Sequence, residues 1–217
     1  MTQQEQKGLF EFSELTDEGD TELTYEGDIN ELKAQGLKYV PNFLSPEEQR
    51  STLKCIDDEP WLKDLSRRVQ HYGYRYDYRA RRVDKSMRIG VLPPWAKEIS
   101  EHLKGAGYFR LIPDQAIINE YLKGQGISPH IDCVPCFGDT LASLSLNSSA
   151  VMKFTHQVSK GKKVDLLLEK GSLVVLHAEA RYNWVHSIPA RKSDDIAGRY
   201  LTRDRRVSLT FRNVILE

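Results

Sequence analysis

Short apolar segments dominate the second half of the chain and predict an α+β fold. Five such segments are separated by turn residues, at positions 141–146, 151–156, 164–168, 173–178 and 207–215. Two segments with helical periodicity precede them, so helices come first and strands follow. Strands that bury one face need covered or closed edges, which favours a jelly roll with room inside for a small ligand. We therefore expect a double-stranded β-helix (jelly-roll) core with N-terminal helices.

Length and composition predict one folded domain after an acidic start. The chain has 217 residues, 40% of them hydrophobic, which is enough for one sizeable core. Residues 1–36 carry ten acidic side chains and two lysines without sustained periodicity, so we expect a solvated N-terminal extension. Residues 37–217 contain no repeat or low-complexity linker and are expected to form a single domain.

Net charge and cysteine content limit the classes of function. The 31 basic and 31 acidic side chains cancel, so attraction to nucleic acid must come from local clusters. Three cysteines cannot complete a disulfide framework, and the polar start lacks the regions of a signal peptide. We expect a reduced, cytoplasmic protein, or a nuclear one in a eukaryote. No apolar run approaches the roughly 20 residues of a membrane span, and no obligate protein partner is indicated.

Local signals place the first strand and the two helices. A short strand is predicted at 37–43, interrupted by a proline. The run SPEE at 45–48 is a capping box with proline at the first helical position, and it starts a helix that reaches about residue 56. The run PPW at 93–95 starts the second helix, whose apolar residues recur every four positions until a glycine near residue 105.

A basic, tyrosine-rich stretch at 67–88 is the first candidate for binding. It holds seven arginines and one lysine against two aspartates, interleaved with four tyrosines. Tyr72, Tyr74, Tyr76 and Tyr78 would share one face of a strand. Aromatic rings stack on bases while arginines neutralise phosphates, so we interpret the stretch as a surface that binds nucleic acid. The alternative is a solvated hairpin whose tyrosines pack on the core.

The run NEYLKGQGISPHID at 119–132 predicts a metal site. An apolar strand ends there, a glycine-containing turn follows, and a His-x-Asp pair closes the run. In an extended segment His130 and Asp132 point to the same side, so an imidazole and a carboxylate converge. Two histidines and one carboxylate leave three octahedral positions open, which suits non-haem Fe(II) chemistry with dioxygen and a chelating cosubstrate. A hydrogen bond between the two side chains in a loop is the alternative.

The second histidine of such a site must come from elsewhere in the chain. His186 is favoured because it follows a strand that ends near residue 178, in the kind of strand-loop position where a rigid scaffold holds site residues. The weaker alternatives are His156 and His177, followed by His71 and His102. Cys133 and Cys136 directly follow the metal pair and suggest a zinc site with His130, but without a second cysteine pair we interpret them as loop residues.

The last strand predicts an anion site. Arg206, Ser208, Thr210 and Arg212 alternate with apolar residues, so they share one face. Two arginines on one face need anions, and planar guanidinium groups pair well with the carboxylates of a dicarboxylate. Asn119 and Tyr121 share a face in the same manner and would add neutral hydrogen bonds. Exposed arginines on an edge strand are the alternative.

These residues together resemble the AlkB family of Fe(II)/2-oxoglutarate dioxygenases. The resemblance rests on N-x-Y at 119–121, H-x-D at 130–132, His186 and RVSLTFR at 206–212. The runs GQGISPHID, SLSL and GSLVVL are most similar to the AlkB-homologue domain that modifies wobble uridines in tRNA. The similarity extends over residues 37–215.

The resemblance implies a role for each candidate residue. Iron would be held by His130, Asp132 and His186. The distal carboxylate of 2-oxoglutarate would be held by Asn119, Tyr121 and Arg206, with Ser208 on the same face. Arg212 would lie near the chelating end of the cosubstrate and belong to the catalytic set.

The resemblance also implies an enzyme that uses Fe(II), 2-oxoglutarate and dioxygen to oxidise alkylated or modified bases. Such an enzyme would act in DNA repair, RNA demethylation or tRNA modification. The base must leave its stack to reach the iron, so we expect an aromatic pocket. The basic stretch at 67–88 would form a nucleotide-recognition lid for single-stranded DNA or RNA, and the candidate substrate contacts are Tyr72, Tyr74, Tyr76 and Arg181. The alternatives are a protein or small-molecule hydroxylase with the same iron core, and a nucleic-acid-binding module without catalysis.

Overall fold

The computed structural model describes residues 23–63 and 65–216, together with Gly8, Phe10 and Phe12. Six strands form the larger of two antiparallel sheets: β2 (Leu37–Val40), β3 (Arg68–Tyr72), β4 (Gln115–Tyr121), β6 (Phe137–Leu146), β9 (Leu173–His177) and β13 (Arg206–Val214). Five form the smaller: β1 (Tyr25–Gly27), β5 (Ile127–His130), β7 (Ala150–His156), β8 (Lys163–Leu168) and β10 (Trp184–Ile188). A separate hairpin consists of β11 (Ser193–Ile196) and β12 (Arg199–Thr202).

Strand order gives the predicted jelly-roll architecture. The larger sheet runs β2-β9-β6-β13-β4-β3 and the smaller runs β1-β8-β7-β10-β5. Neighbours in the order are mostly distant in sequence, so the chain crosses between the sheets repeatedly, and every paired strand is antiparallel. All five predicted strands of the second half are present within one or two residues of their expected ends, apart from the four extra residues at the start of β6.

The larger sheet buries different residues on its two faces. On the outer face Ile118, Leu144 and Leu209 form one hydrophobic cluster with Ile99 and Leu103 of a helix. Residues at the alternate positions, such as those of the polar set predicted on the last strand, point to the inner face. The inner face packs on the smaller sheet through a second cluster of apolar residues. Alternation along the strands therefore separates the helix-facing core from the interior.

The two predicted helices cover the outer face. Helix α2 (Pro46–Asp57) begins at the expected capping box, in which Ser45 N donates to Glu48 Oε2 at 2.7 Å and Glu48 N donates to Ser45 Oγ at 3.2 Å. A capping side chain of this kind contributes about 1 kcal/mol. Helix α3 (Pro94–Gly105) buries the apolar positions that repeat every four residues. No helix among residues 23–63 and 65–216 is long and apolar enough to cross a membrane.

Part of the predicted acidic extension is folded. Within residues 23–36, β1 pairs with β8, and helix α1 (Ile29–Ala34) buries Ile29 and Leu32 in the cluster between the sheets. Gln35 accepts a hydrogen bond of 2.6 Å from Trp184 Nε1. Residues 23–36 of the expected solvated extension therefore pack on the sheets, and the domain boundary at residue 37 stays a prediction. Most of residues 1–22 lies outside the described part of the chain.

The lid stretch is not the strand that its tyrosines predict. Strand β3 ends at Tyr72, and Gly73 follows with a φ of +78°. A Cβ atom at Gly73 would lie 1.9 Å from the carbonyl oxygen of Asp114, so the chain turns where only glycine fits. Beyond the turn are isolated bridges and one 3₁₀ turn (Lys85–Met87). The expected single face of four tyrosines is therefore wrong beyond Tyr72.

Candidate active site

A cavity of about 1250 Å³ lies inside the jelly roll and receives side chains from both sheets. The larger sheet contributes the inner faces of β4, β6, β9 and β13, and the smaller sheet contributes β5, β7, β10 and the start of β8. The lid stretch also reaches the cavity. The residues predicted to bind the metal, the anion and the base can thus be compared with the lining of one cavity.

His130, Asp132 and His186 come together on one wall of this cavity. His130 lies at the end of β5 directly opposite His186 on β10, and Asp132 follows two residues later. Each offers one ligand atom, and these atoms all lie within 4.8 Å of one another. His130 Nε2 is 3.5 Å from Asp132 Oδ1, and the two imidazole centroids are 4.4 Å apart. The predicted triad is the one cluster of this kind within the described residues.

Neighbouring groups prepare these three side chains to bind a cation. His130 Nδ1 donates to the carbonyl oxygen of Ser128 at 2.8 Å, and in the neutral imidazole this leaves the lone pair on Nε2. Burial and the neighbouring His130 lower the pKa of His186 to about 4, so this imidazole is neutral near pH 7. Its buried Nδ1 has no hydrogen-bond partner in the described part of the chain. An unpartnered ring nitrogen beside a carboxylate suits a divalent metal.

Arg212 sets the charge and orientation of Asp132. Its Nε donates to Asp132 Oδ2 at 2.9 Å, and its Nη2 lies 2.8 Å from the same oxygen. Burial opposes ionisation of Asp132, but the Arg212 guanidinium and the two histidines hold the pKa of this carboxyl well below its usual range. Asp132 is therefore an anion with Oδ1 directed to His130. Arg212 thus contacts the metal triad itself.

The other histidines lie outside the triad. His156 lines the cavity farther along, where its ring packs edge-on against Trp184 and its Nδ1 accepts from Ser159 N at 3.0 Å. His102 stacks on Phe12 at a centroid distance of 3.8 Å on the helix side of the larger sheet. His71 and His177 are also absent from the cavity lining.

The predicted anion site is built around a buried guanidinium group, that of Arg206. Arg206 is 3% exposed and has no carboxylate partner among the described residues. Its Nη2 donates to Ser145 Oγ at 2.7 Å, its Nε has no partner there, and its guanidinium lies 5.7 Å from the Tyr121 ring centroid. Burial lowers the pKa of Arg206 to about 10, so it keeps its charge at neutral pH. An unpaired buried charge is costly, which makes this end of the cavity suited to an anionic ligand.

Strand pairing brings the other predicted anion contacts to Arg206. In the ladder between β13 and β4, Arg206 lies opposite Tyr121 and Ser208 lies opposite Asn119. Ser208 Oγ is 3.1 Å from Ser143 Oγ, and Asn119 Oδ1 accepts from Arg67 Nε at 2.8 Å. All four predicted residues line the cavity together with Thr210 and Arg212.

The predicted base contacts are only partly brought to the cavity. Tyr76 lines it and packs on Phe137 at 5.3 Å, but Tyr72 turns to the core against Trp95 at 5.6 Å. Tyr74 is also absent from the lining. The turn at Gly73 breaks the alternation that would have kept them together. Tyr78, which is not among the predicted contacts, lines the cavity with its ring 5.0 Å from that of Tyr76.

Arg181 is absent from the cavity lining and lies behind the metal loop, which is the segment after β5 that carries Asp132 and Cys133. It belongs to the single-turn helix α4 (Ala178–Tyr182) and is 1% exposed. Its Nη1 donates to the carbonyl oxygen of Asp132 at 3.0 Å and its Nη2 to that of Cys133 at 3.4 Å. The side chain therefore anchors the backbone that carries a metal ligand, and its burial is at odds with the predicted contact to a base.

Cys133 and Cys136 form a disulfide, whereas the sequence predicts reduced loop residues. Both are buried in a small cluster with Phe137 and Leu141. The two sulfur atoms lie 3.2 Å and 3.3 Å from the carbonyl oxygen of Arg81 in the lid stretch. Because the sulfurs are bonded to each other, the alternative zinc site with His130 is not formed.

Comparisons with known proteins establish the family. The model of the 2OG-Fe(II) oxygenase superfamily matches residues 36–212, and the chain belongs to that superfamily. The relatives include AlkB homologues. A protein of Arabidopsis thaliana named "Alkylated DNA repair protein ALKBH8 homolog" is 36% identical, over 85% of this chain and 60% of that protein. The predicted family is thus confirmed, and with it the dependence on Fe(II), 2-oxoglutarate and dioxygen that the family name implies.

Two further relatives have AlkB-homologue names, and one solved structure shares the fold. A Xenopus tropicalis protein named "tRNA (carboxymethyluridine(34)-5-O)-methyltransferase alkbh8" is 39% identical over 74% of this chain and 26% of its own length. A Bos taurus protein named "Alpha-ketoglutarate-dependent dioxygenase alkB homolog 7, mitochondrial" is 30% identical over 75% of each chain. The structure of OsALKBH1 shares the fold with a TM-score of 0.57 at 18% identity, over 82% of this chain and 98% of that one. The chain thus spans 60% and 26% of the Arabidopsis and Xenopus relatives.

Proposed function

We propose that this protein is an Fe(II)- and 2-oxoglutarate-dependent dioxygenase that oxidises alkylated or modified bases in single-stranded nucleic acid, with tRNA as one candidate substrate. One observation carries the proposal. A triad of two histidines and a carboxylate shares a single cavity with an unpaired buried arginine and with the aromatic part of a basic lid. These are a metal site, a carboxylate site and a base-stacking surface in one space.

Different residues along the cavity would bind the metal and the cosubstrate. His130, Asp132 and His186 would hold the iron, and Arg212 keeps Asp132 ionised and fixed in direction. Arg206 would bind the distal carboxylate of 2-oxoglutarate, with Asn119, Tyr121 and Ser208 beside it. When bound with dioxygen, iron and 2-oxoglutarate supply oxidative decarboxylation to succinate coupled to hydroxylation of a substrate carbon.

The lid side of the cavity supports a nucleotide substrate. Tyr76 and Tyr78 pack edge to face at the cavity, and Arg67 and Arg81 line it beside them. Aromatic rings hold an unstacked base and guanidinium groups neutralise phosphates. The names of the Arabidopsis and Xenopus relatives refer to DNA repair and to tRNA. On an N-methyl base, hydroxylation gives a hydroxymethyl group that leaves as formaldehyde and restores the base.

A panel of methylated oligonucleotides tests the proposal. The purified protein is incubated in air with Fe(II), 2-oxoglutarate and single-stranded RNA, single-stranded DNA or tRNA, and the nucleosides are analysed by mass spectrometry. We expect loss of a methyl group or gain of one oxygen on at least one base, with a matching amount of succinate. The Asp132→Ala protein is the control and should leave every base unchanged. Succinate formation without a change in any base would leave only uncoupled turnover on these polymers and would contradict the nucleic-acid substrate.

A further inference from the structure

The hairpin formed by β7 and β8 carries an uneven distribution of paired and unpaired lysines. We call residues 153–165 the lysine hairpin, and its four lysines are Lys153, Lys160, Lys162 and Lys163. Lys153 forms an ion pair with Asp165, and Lys162 forms one with Glu31. Neither Lys160 nor Lys163 has a carboxylate partner among the residues that the structure describes. The turn itself, residues 157–162, contains no acidic side chain.

The paired and unpaired lysines differ in where they lie. Lys160 and Lys163 line the same cavity as the metal triad, whereas Lys153 and Lys162 do not. The hairpin is adjacent to the triad, because Phe154 of β7 lies directly opposite His186 of β10. Charge is thus neutralised away from the cavity and left free toward it. Unpaired ammonium groups at an opening raise the local concentration of anions.

The lysine hairpin and the lid approach the cavity from different sheets. The hairpin belongs to the smaller sheet, and the lid continues from β3 at the edge of the larger sheet. Arg67 and Arg81 of the lid also line the cavity. A chain of phosphates that delivers one nucleotide into the cavity extends on both sides of that nucleotide. Cationic side chains contributed by both sheets match such a partner better than they match a small neutral substrate.

We propose that the lysine hairpin is a second phosphate-binding surface, on which Lys160 and Lys163 contact the backbone of single-stranded nucleic acid whose target nucleotide enters between the hairpin and the lid. The proposal rests on the proposed function for the identity of the polymer. Ammonium groups contact phosphate as point charges without reading a base, so the hairpin adds affinity and register but no sequence preference.

The test is the salt dependence of binding. Fluorescence anisotropy gives the Kd for one fluorescein-labelled single-stranded RNA across a series of KCl concentrations, with protein loaded with Fe(II) and 2-oxoglutarate in the absence of oxygen. Each lost phosphate contact lowers the log–log slope by about 0.7, so Lys160→Gln with Lys163→Gln should lower it by roughly 1.4. The double change to arginine keeps both charges and should keep the slope.

A matched control removes the same charge elsewhere. Lys104 and Lys170 are exposed and lie outside the cavity lining, so Lys104→Gln with Lys170→Gln should leave the slope unchanged. Equal losses in the hairpin and control proteins would overturn the proposal, because net charge alone would then explain them. An unchanged slope in the hairpin protein, with a lowered slope after Arg79→Gln, Arg81→Gln and Arg82→Gln in the lid, would overturn the hairpin surface and keep the proposed function. Absence of RNA binding by the unaltered protein would overturn both.

Discussion

Single residues of the site differ in how far the sequence reveals them. His130 and Asp132 are predicted because two positions in an extended segment always share a side. His186 is predicted from its place after a strand, and the pairing of β10 with β5 confirms that it meets His130. Arg181 lies outside the cavity lining, where the sequence predicts a substrate contact. Its direction depends on the single-turn helix α4, for which the sequence has no local signal. Side-chain direction is predictable where a regular strand sets it.

Arg206 is the residue on which the proposed 2-oxoglutarate site depends most. Arg206→Lys keeps a charge but loses the planar fork that pairs with a carboxylate, so we expect the KM for 2-oxoglutarate to rise by about tenfold or more, or about 1.4 kcal/mol. Fe(II) binding should persist. The matched control is Arg205→Lys, since Arg205 pairs with Glu120 and Asp57 outside the cavity. Steady-state kinetics decide the matter, and an unchanged KM in Arg206→Lys removes this arginine from the site.

Arg181 is expected to position the metal loop. Arg181→Met removes both hydrogen bonds to the Asp132 and Cys133 carbonyl groups, and changes of supporting contacts typically weaken metal binding by about 10- to 100-fold. Arg181→Lys should recover part of the loss. Mn(II) titration calorimetry measures the affinity, with thermal unfolding recorded in parallel. Normal Mn(II) affinity in Arg181→Met at a reduced unfolding temperature would limit the residue to a purely structural role.

At the scale of elements, the sequence predicts those whose signals are local. Helices α2 and α3 have caps and periodic apolar faces, and both are present. Strand β10 has no clear signal in the sequence because Trp184–Ile188 is short and carries His186 in its middle, and α1 has none because acidic neighbours conceal Ile29 and Leu32. These elements are stabilised by distant partners in the interior. No local pattern reports such partners.

The turn at Gly73 fixes where the lid leaves β3. Gly73→Ala would combine a φ of +78° with a Cβ 1.9 Å from the Asp114 carbonyl oxygen, so we expect destabilisation of more than about 1 kcal/mol and slower base oxidation. Gly105→Ala is the control, because a Cβ there meets nothing within 4 Å. Chemical denaturation and the oligonucleotide assay provide the two measurements. A Gly73→Ala protein as stable and active as the control would show that the turn is dispensable.

Two sets of substitutions in the lid should separate base stacking from phosphate contact. Tyr76→Ala removes a stacking surface worth about 1–3 kcal/mol per base, so base oxidation should fall with little change in the salt dependence of binding. Neutralising Arg79, Arg81 and Arg82 should instead lower the salt slope, while uncoupled turnover of 2-oxoglutarate continues. Tyr200→Ala is the control, as Tyr200 is 72% exposed on β12 and outside the cavity lining. If both lid proteins process methylated DNA and RNA normally, the lid does not recognise nucleotides.

At the scale of the whole molecule, one sheet serves two purposes. The outer face of the larger sheet packs on α2 and α3, and its inner face presents the polar residues of the cavity. The period-two alternation of β4, β6 and β13 makes this division visible in the sequence, and it is why the fold class and the polar residues that line the cavity are predictable together. The order of strands within each sheet is not predictable in this way, because it depends on pairings between distant segments.

The central claim is that His130, Asp132 and His186 form the Fe(II) site of this oxygenase. Its most direct test is Fe(II)-dependent conversion of 2-oxoglutarate to succinate, measured together with Fe(II) affinity, in the three single alanine variants and in His156→Ala. His156 lines the same cavity outside the triad and serves as the matched histidine control. We predict that each triad variant loses turnover and binds Fe(II) weakly because one of three protein ligands is gone, while His156→Ala retains both. Full turnover in His186→Ala would contradict the account and reassign the ligand.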